Sequence, residues 1–240
     1  MTTGPFALWV YLSQTPLLWL TVTLIVYAAA DAASLTLNRH PLANPVLHAI
    51  WIVSVILLLT GTSYRTYFDG AQFVHFLLGP ATVALAVPLY ENRARVAAAI
   101  LPMLAALVVG CVTAIVSVVL LAKLAGLPRA AVLAMAPKSV TAGVAMGIAE
   151  SLGAAPSLTA VSVILTGIMG AIVVTPMMNR LGVEDFRARG FAAGLASHGI
   201  GTARAFQVDT VAGVFAGIAM SLNALVTSLL APLLVLVLLR

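Results

Sequence analysis

Several stretches of the chain carry no charged side chain over more residues than a bilayer's hydrocarbon core needs. Val96–Ala122 runs for 27 residues and Thr210–Leu239 for 30. A helix of about 20 residues already crosses the roughly 30 Å core. Inside lipid every backbone N–H and C=O must be paired within the protein, so only helices and closed barrels cross. Barrel strands alternate apolar and polar over about 10 residues, whereas these runs are apolar on every face. The chain is 62% hydrophobic and 8% charged, against about 25% charged in a soluble domain. A soluble enzyme, a secreted disulfide scaffold and a disordered chain are excluded. The expected fold is an all-α integral membrane protein.

Further apolar segments fill the rest of the chain: Pro5–Ala30, Pro45–Thr60, Phe73–Tyr90, Ala130–Ala149, Pro156–Met178 and Gly190–Val208. That gives about seven to eight hydrophobic segments, each a helix and a short loop, and a single polytopic membrane domain over residues 1–240. Residues 1–38 contain no Lys or Arg, so the basic region of a cleaved leader is missing and the first span is expected to stay. The formal charge is +5, but the bases sit singly in short loops, as orientation signals do. No nucleic-acid partner is expected, since that requires a clustered basic face. The one cysteine, Cys111, permits neither an internal disulfide nor a thiolate metal cage. No cofactor is expected.

Three places break the helical pattern: Gly79-Pro80-Ala81-Thr82, Pro137-Lys138-Ser139-Val140-Thr141 and His198-Gly199-Ile200-Gly201-Thr202-Ala203-Arg204. Irregular backbone at membrane depth survives only when buried in protein or lining a cavity. Each break joins a helix breaker to hydroxyls, and the last two add cations. Freed helix ends offer N–H groups and a positive dipole end, which with Lys or Arg suit a carboxylate. The candidate substrate-binding residues are Lys138, Ser139 and Thr141 on one segment and His198, Gly199, Gly201, Thr202 and Arg204 on another, with Thr82 on the third. The competing readings are structural: a kink at Pro80, an amine at Lys138 that reaches the headgroups, a core histidine at His198. The first two breaks share Pro-x-Ser/Thr-Val-x-x-x-Val, starting at Pro80 and Pro137. Interrupted segments in corresponding positions are the mark of an inverted repeat around a midplane site.

Arg39, the pair Arg93 and Arg95, and the group Arg180, Arg187 and Arg189 should all face the cytoplasm. With the N-terminus outside, simple counting satisfies the first two. The third follows only if 130–149 dips into the membrane and returns, so the charges favour a broken or re-entrant element at Pro137. Lys123 and Arg129 stand against it as two outside bases.

The strings LLGPATVALAVPLY (Leu77–Tyr90), APKSVT (Ala136–Thr141) and SHGIGTARA (Ser197–Ala205) resemble signatures of the LrgB/CidB family. Pro156–Ala160 and Thr166-Gly167-Ile168 fit as well. The resemblance covers roughly Pro41 to the C-terminus. It departs at Ala142-Gly143, where a Thr-Pro-like continuation is usual, and before Pro41, where the usual basic pair is reduced to Arg39. What the resemblance implies is twofold. Bacterial members are holin-like or antiholin-like proteins that modulate murein hydrolase activity and lysis with a small LrgA/CidA partner. Plant members are plastid envelope carriers exchanging glycolate and glycerate, and some bacterial members are linked to pyruvate uptake.

The expected function is a secondary carrier for small monocarboxylates of the glycolate, glycerate or pyruvate type. It would hold a small carboxylate at broken helices near the midplane of the cell's inner (plasma) membrane. The alternative is a holin- or antiholin-like pore or lysis regulator, for which Gly143, Gly147, Gly213 and Gly217 would supply a small-residue face for a homo-oligomer. An enzyme is not expected: Asp31, Glu150, Ser197 and His198 form no nucleophile–base pattern, and no HExxH is present.

Overall fold

The computed structural model describes residues 15–77, 80, 83–84 and 86–239, and every regular element among them is helical. Four helices are long and apolar enough to cross a membrane, by length and composition: α1 (Pro16–Thr36), α6 (Ile100–Leu124), α9 (Pro156–Arg180) and α11 (Thr210–Leu238). A shorter apolar helix, α2 (Pro45–Thr60), has 16 residues. The protein is thus an all-helical membrane protein. Two compact units divide it, one within residues 1–86 and one within 87–240.

The first unit holds α1, a short 3-10 turn (Pro41–Ala43), α2 and α3 (Tyr64–Phe76). Proline opens α1 and α2 at a position where its missing N–H is no loss. Asn44 caps α2, its Oδ1 accepting from the Val46 and Leu47 N–H groups. After α1 the chain turns through left-handed Asn38 and Arg39, and Arg39 bridges back to Asp31. The fully buried Trp19 meets Tyr67 edge-on, with ring centroids 6.0 Å apart. Gly70 makes the α1–α3 contact feasible, because a Cβ there would lie 2.1 Å from the Pro16 carbonyl oxygen.

The second unit holds α4 (Ala86–Glu91) from Val87 on, α5 (Arg93–Ala98), α6, α7 (Arg129–Met135), α8 (Ala142–Ser151), α9, α10 (Phe186–Val208) and α11. One cluster of buried aliphatics, including Ile115, Val119, Val132, Val140, Val163 and Val235, joins α6, the α7–α8 region, α9 and α11. A second, with Leu107, Cys111, Phe191 and Phe215, joins α6, α10 and α11. The α10–α11 contact is close because of glycine: a Cβ on Gly190 or Gly194 would lie 2.0 Å from the Ala212 or Ala216 carbonyl oxygen respectively. Small residues that let backbones approach are how helices associate in lipid, where no hydrophobic force drives them together.

The expected segment 130–149 is not one helix. Pro137 lacks an N–H and disfavours helix before it, and the chain passes through turns from Ala136 to Val140 before α8 starts. At 7 and 10 residues, neither α7 nor α8 spans about 30 Å at 1.5 Å per residue. Ala134 and Ala149 share a buried cluster.

The segment from Phe186 to Val208 also departs from one helix. Ser197 (φ −135°, ψ 17°) and His198 (φ 41°, ψ −135°) are not helical. In an unbroken helix residues 193 and 201 would be about 12 Å apart along the axis, and 189 and 204 about 22 Å. Here a Cβ on Gly201 would lie 2.5 Å from the Ala193 carbonyl oxygen, and Arg189, Ala193, Arg204 and Ala205 line one small cavity. The chain therefore doubles back at Ser197–His198, and 199–208 returns beside 186–196. Asp185 and Asp209 cap the start of this element and of α11, their carboxylates accepting from Arg187 N–H and from Val211 and Ala212 N–H.

Candidate functional site

The two turns in the second unit, 136–141 and 197–198, meet at one side chain that the sequence reading passed over. Asn223 lies in the middle of α11 and is 1% exposed. Its Nδ2 donates to the Ser139 carbonyl at 3.1 Å and to the Leu195 carbonyl at 2.8 Å. Its Oδ1 accepts from the Cys111 thiol of α6 at 3.1 Å and from the Thr227 hydroxyl at 2.7 Å. Carbonyls only accept, so the amide orientation is fixed by its partners. Both N–H groups and both lone pairs are used. Four elements converge there: the 136–141 turn, α10, α6 and α11.

The second turn is also held from the opposite side. His198, 5% exposed, donates from Nε2 to the Val163 carbonyl of α9 at 2.9 Å. The ring lies where a side chain on Gly167 would be, since a Cβ there would come within 2.6 Å of its Cε1. Ser197 fills the matching notch at Gly170. Leu195 fills a third on α6, where a Cβ on Gly110 would lie 2.1 Å from its Cδ2. Three glycines at the middle of two long helices thus seat one turn. His198 itself sits at positive φ, a conformation costly for a residue with a Cβ.

The candidate residues fall in different places. Ser139 is buried; its carbonyl accepts from Asn223 and its own hydroxyl has no hydrogen-bond partner among the described residues. Lys138 beside it is half-buried. The ion pairs among the described residues are Arg39–Asp31 and Arg187–Asp185, and Lys138 belongs to neither. Thr141 precedes α8 in extended geometry and does not cap it with its side chain. Thr202 is buried and returns its hydroxyl to the His198 carbonyl at 2.8 Å. Gly199 is exposed, and Gly201 is the close contact between the two arms. Arg204 is buried but lies further down the returning arm, sharing its cavity with Arg189 and Thr175 rather than with the turn. Thr82 and Gly79 lie outside the described residues.

Asn223 therefore brings Ser139 next to the α10 turn, while Arg204 stands apart from that meeting point. The sequence signal for Asn223 was present: it is the only carboxamide in the 30-residue uncharged run. An amide buried in an apolar surround is costly unless hydrogen-bonded. The glycine notches at Gly110, Gly167 and Gly170 carry no such signal, since glycine is common in membrane helices anyway. Of the proposed small-residue face, Gly213 and Gly217 are buried, Gly213 against Phe206. Gly143 and Gly147 are exposed with open space around them.

A cavity of about 500 Å³ opens between α5, the start of α6, the first arm of α10 and α11. It reaches from Asp185 and Arg187 past Met103 and Phe191 to Leu195. At its mouth the Arg187 guanidinium beside Asp185 holds that carboxyl below the usual carboxylate range. Among the described residues no group of three or more His, Cys, Asp or Glu could hold a metal.

Comparison with known proteins agrees with the residues above. Residues 23–237 match the LrgB-like family. The holin-like protein CidB of Staphylococcus epidermidis is 31% identical over 219 residues, covering 91% of this chain and 95% of that protein. CidB of Staphylococcus aureus is 31% identical over 220 residues, covering 92% and 96%. The protein YxaC of Bacillus subtilis, named as uncharacterized, is 32% identical over 217 residues, covering 89% and 94%. No solved structure matches the chain. With a match over nearly its whole length and end-to-end similarity to CidB proteins, the chain belongs to the LrgB-like family.

Proposed function

We propose that this protein is a holin-like membrane protein of the plasma membrane that governs passage of a small solute and thereby bears on lysis. The observation that carries this is the near-full-length similarity to proteins named holin-like CidB. The two turns are its working part. Cys111 is the twelfth of 25 residues in α6, Gly167 the twelfth of 25 in α9 and Asn223 the fourteenth of 29 in α11. If those helices span, the turns meet near mid-depth. In that arrangement α6 followed by the 129–151 turn-back, and α9 followed by the 186–208 turn-back, form two units of opposite direction. Such inverted units put a site at the midplane. The same topology sets the loops bearing Arg93 and Arg187 on one face, as the positive-inside rule asks.

A second, more specific reading is a carrier for small monocarboxylates, and one observation favours it. Lys138 is half-buried beside a turn, with no carboxylate partner among the described residues. The turn that holds it leads into α8, which starts four residues later at Ala142 and is not capped by the Thr141 side chain. An ammonium, the Ser139 hydroxyl and a helix N-terminus would meet a carboxylate's charge with donors already in place. Losing such a charge-assisted bond costs about 1.5–3 kcal/mol, or roughly tenfold to a hundredfold in affinity. A small LrgA/CidA-like partner and assembly into a homo-oligomer are further proposals from the family resemblance.

The purified protein in liposomes separates the readings. Leakage of trapped dyes with a size cut-off supports a holin-like pore. Saturable uptake of labelled pyruvate, glycolate or glycerate without dye leakage, reduced at least tenfold by Lys138→Gln, supports the carrier. Neither leakage nor uptake, with or without the small partner, would refute passage of a small solute altogether.

A further inference from the structure

Asn223 has a use beyond filling the core. Ordinary satisfaction of a buried amide needs partners on its own helix or on one neighbour. This one spends its two N–H groups on two different segments, Ser139 in the 136–141 turn and Leu195 two residues before the 197–198 turn, 84 and 28 residues away in sequence. Its acceptor side is occupied by the Cys111 thiol and the Thr227 hydroxyl. These two satisfy the lone pairs and leave both N–H groups to the two segments. The carbonyls they reach belong to backbone near or within turns, where the regular i to i+4 pairing is interrupted.

We infer that Asn223 is a positioning residue that latches the two turns together, so that they move as one body in whatever cycle the protein performs. Three features around it agree. Leu195, whose carbonyl is latched, is keyed into the Gly110 notch one residue from Cys111. His198 and Ser197 are keyed into Gly167 and Gly170 on the opposite side. Among the glycines described, none has a residue of the 136–141 turn in the space a Cβ would take. The 136–141 turn therefore depends on the amide more than the 197–198 turn does. Without the latch it should take up several positions while the α10 turn stays seated. The inference does not depend on which solute passes.

The test is a distance between the turns, read by dipolar electron spin resonance on the full chain in liposomes. Spin labels go on Gly143→Cys and Ala196→Cys, both exposed and outside the hydrogen-bonded node, in a Cys111→Ser background that keeps a donor to Asn223. A single narrow distance distribution is expected. Asn223→Leu, which matches the volume but not the hydrogen bonds, is expected to at least double its width. Thr227→Val removes one donor on the acceptor side and leaves both latching N–H groups, so the distribution should stay narrow. Asn223→Leu with an unchanged width in a folded, merely less heat-stable protein would show a structural amide and overturn the latch. Two resolved populations with Asn223 intact would overturn it without any variant. Equal broadening by Thr227→Val and Asn223→Leu would also overturn it.

Discussion

Replacing Gly170 by alanine tests whether the α10 turn is seated as the structure has it. The added Cβ would lie 1.6 Å from the Ser197 Oγ and 2.6 Å from the Ser197 Cβ. A hydroxyl can rotate away, but Ser197 Cβ is fixed to backbone and must retreat by about 1 Å to reach ordinary contact at about 3.5–4.0 Å. Overpacking costs about 1–3 kcal/mol, and an approach of 2.6 Å to an atom fixed to backbone belongs in the upper half of that range, about 2–3 kcal/mol. Alanine regains about 0.8–1.0 kcal/mol of helix propensity over glycine, which leaves a net loss of about 1–2 kcal/mol. At about 2–4 °C per kcal/mol for a chain of this length, the melting midpoint should fall by roughly 2–8 °C. Ser197→Gly in the same chain removes both clashing atoms and leaves Ser197 Cα at 3.7 Å, so the double variant should recover most of the loss. The coupling between the two sites should be about 1–3 kcal/mol. The chain's three tryptophans, at 9, 19 and 51, all precede residue 87 and report on the wrong unit. Cys111 is the single, buried cysteine of the second unit, so a fluorogenic thiol dye in a thermal ramp reads the relevant unfolding. An unchanged or raised midpoint for Gly170→Ala, or a double variant no better than the single one, would refute the seating of Ser197 in that notch.

Three other perturbations have defined outcomes. His198→Ala loses the bond to Val163 and keeps the strained backbone, whereas His198→Gly loses the same bond and relieves positive φ; the glycine variant should melt higher, and a lower midpoint would contradict strain at that residue. Asp185 caps α10 and its carboxyl is depressed by Arg187, so its contribution is full above the ordinary carboxylate pKa of about 3.9 and is lost as pH falls through the lower folded value. Asp185→Ala should cost about 1 kcal/mol near pH 7, and its melting difference from wild type should shrink only below about pH 4. Cysteines introduced at Ala94 and Ala188 in a Cys111→Ala background should both resist an impermeant thiol reagent in intact cells, because in the proposed topology α6 and α9 cross in opposite directions and 129–151 returns to its own side; labelling of only one would break that topology.

Charge and hydropathy made the long helices legible, because a 25-residue apolar run has few structural alternatives in lipid. Pro137 marked where regular helix stops, since proline removes a donor, while Gly199 and Gly201 pointed near a second break whose non-helical residues are Ser197 and His198. What they did not mark was which turn meets which. That depends on Asn223, whose partners lie 84, 28 and 112 residues away and share no local pattern with it. Arg204 shows the reverse limit. Its spacing from His198 places it on the same broken segment, yet reversal at Ser197–His198 carries it back toward Arg189. Glycine notches at 110, 167 and 170 are invisible in one sequence, because a residue with no side chain reveals its use only through the neighbour that fills the space.

The two turns meet at one amide, which the proposed topology puts near mid-membrane. A cryo-EM map of the full chain in lipid nanodiscs tests this directly, because the disc edges give the bilayer boundaries. The Asn223 side chain is expected within about one helical turn, roughly 5 Å, of the midplane, with the Ser139 and Leu195 carbonyls both in hydrogen-bond reach of it. Either turn found in the headgroup layer, or Asn223 paired to one turn alone, would contradict that arrangement.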